Sequence, residues 1–226
     1  FVFTRYIDQT PTDQVNPSEK QQWKAEAKAL RAIYFFYFIR TYGPVPLLQK
    51  EYEQDTPTDE LQLPRSTVDE CFNYIVAQLK EAQNEGLLEN ASSDAVSGLG
   101  RIDKAIAQAF IIEALTYRAS WLFNGECNYY ANLANEDGTK LFPAAPDQQT
   151  IKANWQKVVT ECKTFLTTYG TRYQLMYTNK DGKDVTDPDA SGLEPYESYI
   201  RPVRTHRNEI NNHREMKFYR IHNPAG

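Results

Sequence analysis

Residues 23–48, WKAEAKALRAIYFFYFIRTYGPVPLL, hold an amphipathic helix that thickens into an aromatic block and stops at Gly43-Pro44. Trp23, Ala27, Leu30, Tyr34 and Tyr37 advance by four, three, four and three, a spacing that lines one face of an α-helix. Ile33, Phe35, Phe36, Phe38 and Ile39 fill the other directions. The C-terminal half is therefore expected to be buried on more than one side, as in the middle of a helical stack. The N-terminal half is wetter, with Lys20, Lys24, Glu26 and Lys28, and Ser18 offers an N-cap with Glu19 in the first turn. Gly43 suits a left-handed cap, and Pro44 and Pro46 do not continue a helix. The uncharged run from Ala32 to Ile39 is eight residues, far short of the roughly 20 that a bilayer crossing needs.

Working outward, three more helices follow. Ser66 reads as an N-cap with Asp69 at the capping-box position, and Val68, Phe72, Ile75, Leu79 and Ala82 repeat at helical spacing, which predicts a second helix over Thr67 to Asn84. The third runs from Ile102 to Leu122 with a small-residue seam of Ala105, Ala109, Ile112, Thr116 and Ala119, which lets helices approach closely. The fourth, Gln149 to Tyr169, uses Trp155, Val158, Val159, Cys162, Phe165 and Leu166, and Gly170 closes it. The order is helix, loop, helix, twice over, and short apolar stripes of this kind are buried by antiparallel neighbours. The expected fold is mainly α: tetratricopeptide-like helical hairpins stacked in an α-α superhelix, with long loops and little β. It is not a regular array, since the first and third helices are offset by roughly 80 residues rather than by the 34 of the ordinary repeat. The expected organisation is one helical domain over 1–226, with a helical core at 18–170 and a mostly irregular 171–226. In that last part Tyr177 to Pro195 reads as turns, and Tyr196 to Tyr199 and Met216 to Ile221 as short strands. Three loops are long, Gly43 to Arg65, Gly86 to Gly100 and Phe123 to Gln148. Loops of that size are usually functional or disordered.

Composition narrows the function. With 226 residues, 41% hydrophobic and 13% aromatic, the chain has material for a full core. A formal charge of -5 argues against nucleic-acid binding. One basic run, Arg201 to His222, carries six basic side chains against two acidic ones and reads as a solvated surface. Cys71, Cys127 and Cys162 form neither a CxxC pair nor an even framework. The opening Phe1-Val2-Phe3, followed by Arg5 and Asp8, does not read as the apolar core of a secretory signal.

Three segments together, AEAKALRAIYFFYFIRTYGPVPLL, LPRSTVDECFNYIVAQLKEA and GRIDKAIAQAFIIEALTYRASWLFNG, resemble the SusD/RagB family of outer-membrane nutrient-binding lipoproteins, and NWQKVVTECKTFLTTYG and RYQLMY fit the same pattern. The resemblance implies a mostly helical domain, lipid-anchored at the cell surface, that caps a SusC-type TonB-dependent transporter and delivers glycans, or in some cases peptides, into it. It runs from about Ser18 to about Glu209. On that basis the chain is expected to be a fragment, without the family's lipidated N-terminal cysteine and C-terminal portion, and to meet the membrane only through that anchor.

No catalytic motif stands out. Glu113, set among apolar residues in AFIIEALTYRAS, is expected to be buried and paired with Arg31 rather than to act as a general acid. His206, His213 and His222 lack zinc-ligand spacing, and Asp181, Asp184, Asp187 and Asp189 read as a turn rather than a calcium loop. No cofactor or metal is expected, and no enzyme activity. Sugar binding needs exposed aromatic faces for the apolar side of a pyranose and amides or carboxylates for its hydroxyls. The candidates are Tyr129 and Tyr130 in ECNYYANLANEDG, flanked by Asn128, Asn132 and Asn135, and Tyr196 with Tyr199 in EPYESYIR. Each pair reads alternatively as packing over helix ends, and Trp121 and Phe123 are expected to pack. The expected function is non-catalytic glycan binding. The alternative is a helical-repeat scaffold that binds a peptide or partner protein, and a third reading, a glycoside hydrolase, needs a carboxylate pair in a cleft.

Overall fold

The long aromatic helix begins one step before its expected cap. Asn16 holds an extended conformation and its side-chain oxygen accepts the Glu19 N–H, while the Glu19 carboxylate accepts the Asn16 N–H, a reciprocal capping box with Pro17 at the first helical position. Ser18 instead donates its hydroxyl to Asn16. In the computed structural model, which describes residues 2–48, 50–53, 55–93, 98, 100–173, 177–178 and 184–185, this helix is preceded by another. The order is α1 (Val2–Gln9), α2 (Pro17–Tyr42), α3 (Thr58–Leu61), α4 (Val68–Glu85), α5 (Lys104–Ala119), α6 (Gln148–Tyr169), β1 (Tyr177–Thr178) and β2 (Asp184–Val185). Neither α1 nor α3 was legible as a helix in the sequence pattern.

The α4 cap also shifts by one residue. Thr67, not Ser66, accepts the Glu70 N–H and donates its own N–H to the Glu70 carboxylate, which leaves Asp69 to pair with Arg118 of α5. The expected stripe of α4, Val68, Phe72, Ile75, Leu79 and Ala82, is wholly buried. In α2 the buried row is Ala25, Ala29, Ala32, Phe36 and Ile39, each two positions beyond the expected stripe and so about 200° around the helix. In α5 the ends of the expected seam, Ala105 and Ala119, are buried, while its middle shifts to Ala107, Ile111 and Ala114. The reason is steric: α4 sits between α2 and α5, and alanine rows let the helix axes come close enough for the larger α4 side chains to fill the gap. Leu30, Tyr34 and Tyr37 are therefore turned outward.

The three helices alternate in direction. The N-terminal half of α2 meets the C-terminal half of α4 through Lys28 with Glu81 and Glu85 (3.2 and 2.6 Å), and Arg31 donates to Gln78 at 2.6 Å. The far end of α4 returns to α5 through Gln83, which donates to the Lys104 carbonyl at 2.9 Å, and Phe72 meets Phe123 just beyond α5 at 5.3 Å. Gly43 ends α2 at φ 73°, with its N–H on the Ile39 carbonyl, as its cap position requires. The first part of α6 joins by polar contact: Glu161 accepts from Lys80 at 2.6 Å and from the buried Gln108 at 2.7 Å.

The chain divides into two units, residues 1–89 with 102–162, and residues 90–101 with 163–226. In the second, Phe165 packs with Tyr169 at 5.4 Å and Arg172 lies over Tyr173 at 4.9 Å, while β1 and β2 pair antiparallel with Tyr177 opposite Val185. That pairing replaces part of the turn reading of Tyr177 to Pro195. The strands expected at 196–199 and 216–221 lie outside the described residues.

Candidate ligand-binding surface

The loop between α5 and α6 starts at a pinned joint. Arg118 holds Asp69 with one arm and donates to the Phe123 carbonyl with another at 3.1 Å, so the end of α5 is tied to the start of α4. Asn124, buried, accepts the Glu126 N–H at 2.9 Å. At Gly125 (φ 98°) a Cβ would run into the carbonyl oxygens of Pro143 and Ala144, so the two ends of the loop touch. Between them the Leu141 N–H donates to the Leu133 carbonyl at 3.0 Å and the Leu141 carbonyl accepts from Val68 at 2.9 Å, while the Asn135 side chain donates to the Arg65 carbonyl at 2.8 Å. A tight turn at Asn135–Gly138 closes the tip, where the Thr139 backbone N–H and side chain hold the Asp137 carboxyl below its ordinary value.

Across this loop runs a ladder of rings. Phe72, Phe123, Phe142, Tyr130 and Tyr129 are 1%, 3%, 7%, 38% and 85% exposed, a steady climb from core to solvent. Phe123 stacks on Phe142 (6.2 Å, 11°), Phe142 on Tyr130 (5.1 Å, 19°), and Tyr130 meets Tyr129 edge to face (4.9 Å, 82°). The structure thus brings Tyr129 and Tyr130 together as an open right-angled corner, with the Asn132 side chain accepting from Lys140 at 3.5 Å nearby in the same loop. Tyr196 and Tyr199 lie outside the described residues. Trp121, expected to pack, is mostly exposed, whereas Phe123 is buried as expected. The cause is Ser120: it ends α5 in an extended conformation, so the next residue leaves the packed face.

Glu113 is corrected outright. It is half-exposed and pairs at 3.3 Å with Arg40, not Arg31, because Arg31 lies about two and a half turns nearer the start of α2 and is taken up by Gln78 of α4. Among the described residues no group of three or more His, Cys, Asp or Glu is placed to hold a metal ion. His206, His213, His222, Asp181, Asp187 and Asp189 are outside them.

A second surface was missed from sequence because α1 was. The outward face of α2 and the α1 helix beside it enclose a groove of about 1110 Å³, with Phe3, Leu30, Tyr34, Phe38 and Leu48 along it and Lys24 bound to Asp8 at its edge. Tyr34 and Phe38 are 60% and 47% exposed. The four-three spacing through Leu30, Tyr34 and Tyr37 was the available signal; it marked an apolar face but not whether another element covers it.

Alternating helices that bury alanine-rich rows and carry structured loops define a stacked helical-hairpin scaffold of the tetratricopeptide kind. Among the described residues no helix is long and apolar enough to cross a membrane. Residues 5–112 match the SusD-like family model described as "Starch-binding associating with outer membrane". The solved structure of BT4246 is 27% identical, with a TM-score of 0.66 over 90% of this chain and 34% of that one. A SusD-like protein, BF3747, from Bacteroides fragilis NCTC 9343 shares the fold at 20% identity, with a TM-score of 0.60 over 98% of this chain and 31% of that one. The family-model match and the likeness to SusD-like solved structures support a member of the SusD/RagB family. It spans about a third of the length of these solved structures. No curated protein matches it.

Proposed function

We propose that this chain is a glycan-binding part of a cell-surface nutrient-uptake protein, non-catalytic, lipid-anchored to the outer membrane, and partnered with a SusC-type TonB-dependent transporter. The observation that carries the reading is the Tyr129–Tyr130 corner, an aromatic face left open to solvent on a loop tied down at both ends. A pyranose presents an apolar C–H face that such a ring covers, and pre-ordering the loop removes an entropic cost of binding. The match of residues 5–112 to a family model described as starch-binding supports the ligand class. Tyr196 and Tyr199 complete the proposed ligand-binding set. The test is calorimetry against a panel of neutral and acidic oligosaccharides, with reducing-sugar release measured in parallel. Binding without turnover is expected, and turnover would sink the non-catalytic part.

The groove along α2 favours a second reading, a scaffold that docks a peptide or partner protein, because its open aromatic rings sit on a helix face rather than on a loop. Pull-down with the transporter separates the two: a Tyr34→Ser, Phe38→Ser variant that loses the transporter but keeps the glycan assigns the groove to the partner.

A further inference from the structure

We infer that Phe142 is a positioning residue for the proposed glycan site, holding the plane of Tyr130 and, through it, the angle of Tyr129. The inference rests on the glycan-binding reading of that corner and names the side chain on which its geometry depends. Phe142 and Leu141 are neighbours with different work. Leu141 is fully buried, and its backbone makes both hydrogen bonds that join the loop to Leu133 and Val68. The Phe142 ring instead stacks with two other rings, Phe123 and Tyr130, and is nearly parallel to both. Parallel stacking fixes orientation in a way that general apolar contact does not, because tilting either ring loses contact area along a whole edge.

The Tyr130 carbonyl accepts the Leu133 N–H, while its ring stacks with Phe142 and meets Tyr129 edge to face. Tyr129 is 85% exposed and, among the described residues, meets the Tyr130 ring alone. The order of support therefore runs from Phe123 through Phe142 and Tyr130 to Tyr129. A leucine at 142 fills most of the volume and supplies no plane, and a tryptophan supplies a plane. If Phe142 were only a core residue, leucine would be the milder change.

The experiment uses the full chain with 3-fluorotyrosine placed at position 129, in wild type, Phe142→Leu and Phe142→Trp, each checked by thermal melting. The 19F resonance of Tyr129 is expected to move toward the free-tyrosine position in Phe142→Leu and to return toward wild type in Phe142→Trp. Calorimetry with maltoheptaose as the probe is expected to show a loss of about three- to tenfold in affinity for Phe142→Leu, largely restored by tryptophan, the size of one aromatic pair. A Tyr129 resonance identical in wild type and Phe142→Leu overturns the inference, as does tryptophan behaving no better than leucine. Tyr129→Ala serves as the separate control. If wild type binds the probe and Tyr129→Ala binds equally well, or if no probe binds, the glycan-site reading fails, while the 19F comparison still decides the role of Phe142.

Discussion

Tyr129 and Glu161 show two ways in which one side chain matters. Tyr129 contributes almost nothing to packing, so Tyr129→Ala should leave the melting temperature within about 1 °C while weakening glycan binding about tenfold, read by melting and calorimetry on the same sample. Glu161 is the opposite case. Burial raises its carboxyl, but the hydrogen bonds from Lys80 and Gln108 and the charge of Lys80 outweigh that and leave it below the ordinary glutamate value of 4.5. A carboxyl lowered on folding stabilises fully above its unfolded value and loses that contribution as pH falls through the folded one. Glu161→Gln should therefore cost about 1–2 kcal/mol at pH near 7. The gap between wild type and variant should be flat above pH about 5 and close below it, by denaturant melts across pH. At this level the sequence was partly legible. Loop tyrosines flanked by asparagines marked the corner, but the half-burial of Tyr130 depends on Phe142, twelve positions away, a pairing that no local pattern announces. Glu113 misled because apolar neighbours in sequence do not put a side chain on the inner face of its helix.

Helices were the most readable objects, and their faces less so. The α4 stripe was right in every position because its large residues have to be inside. The α2 stripe was turned because alanine, the residue that marks close approach, carries little weight in an apolar pattern that also offers tyrosine and phenylalanine, whereas the α5 seam, chosen for its small residues, was right at both ends. This gives a direct test. Ala32→Leu or Ala114→Leu, each conservative in hydropathy, should cost about 1–3 kcal/mol by overpacking, whereas Tyr34→Leu on the outer face should change stability by less than about 0.5 kcal/mol. Caps were misplaced by one or two residues because Ser66 and Ser18 are equally good capping types, and only the reciprocal glutamate at the third helical position distinguishes Thr67 and Asn16. Thr67→Ala should lower stability by about 1 kcal/mol, or about 3 °C in melting temperature, while Ser66→Ala should not.

The molecule presents two faces of different chemistry, a loop corner built on stacked rings and a helix-lined groove with open aromatic side chains. The groove makes its own prediction: Tyr34→Ser with Phe38→Ser should reduce the fluorescence of a bound hydrophobic dye with only a small drop in melting temperature, since about half of each side chain is already in water. The SusD-like resemblance was legible from the order of three helical segments, whereas α1, whose eight residues carry no cap signal, had to be seen in three dimensions. The meeting of Gly125 with Pro143 and Ala144 has a consequence for how such a protein diversifies. A segment that leaves and re-enters the scaffold at one doorway is a cassette. Lengthening a flexible loop twofold costs only about 0.6 kcal/mol, so new recognition surfaces can be spliced in there while every helix keeps its place.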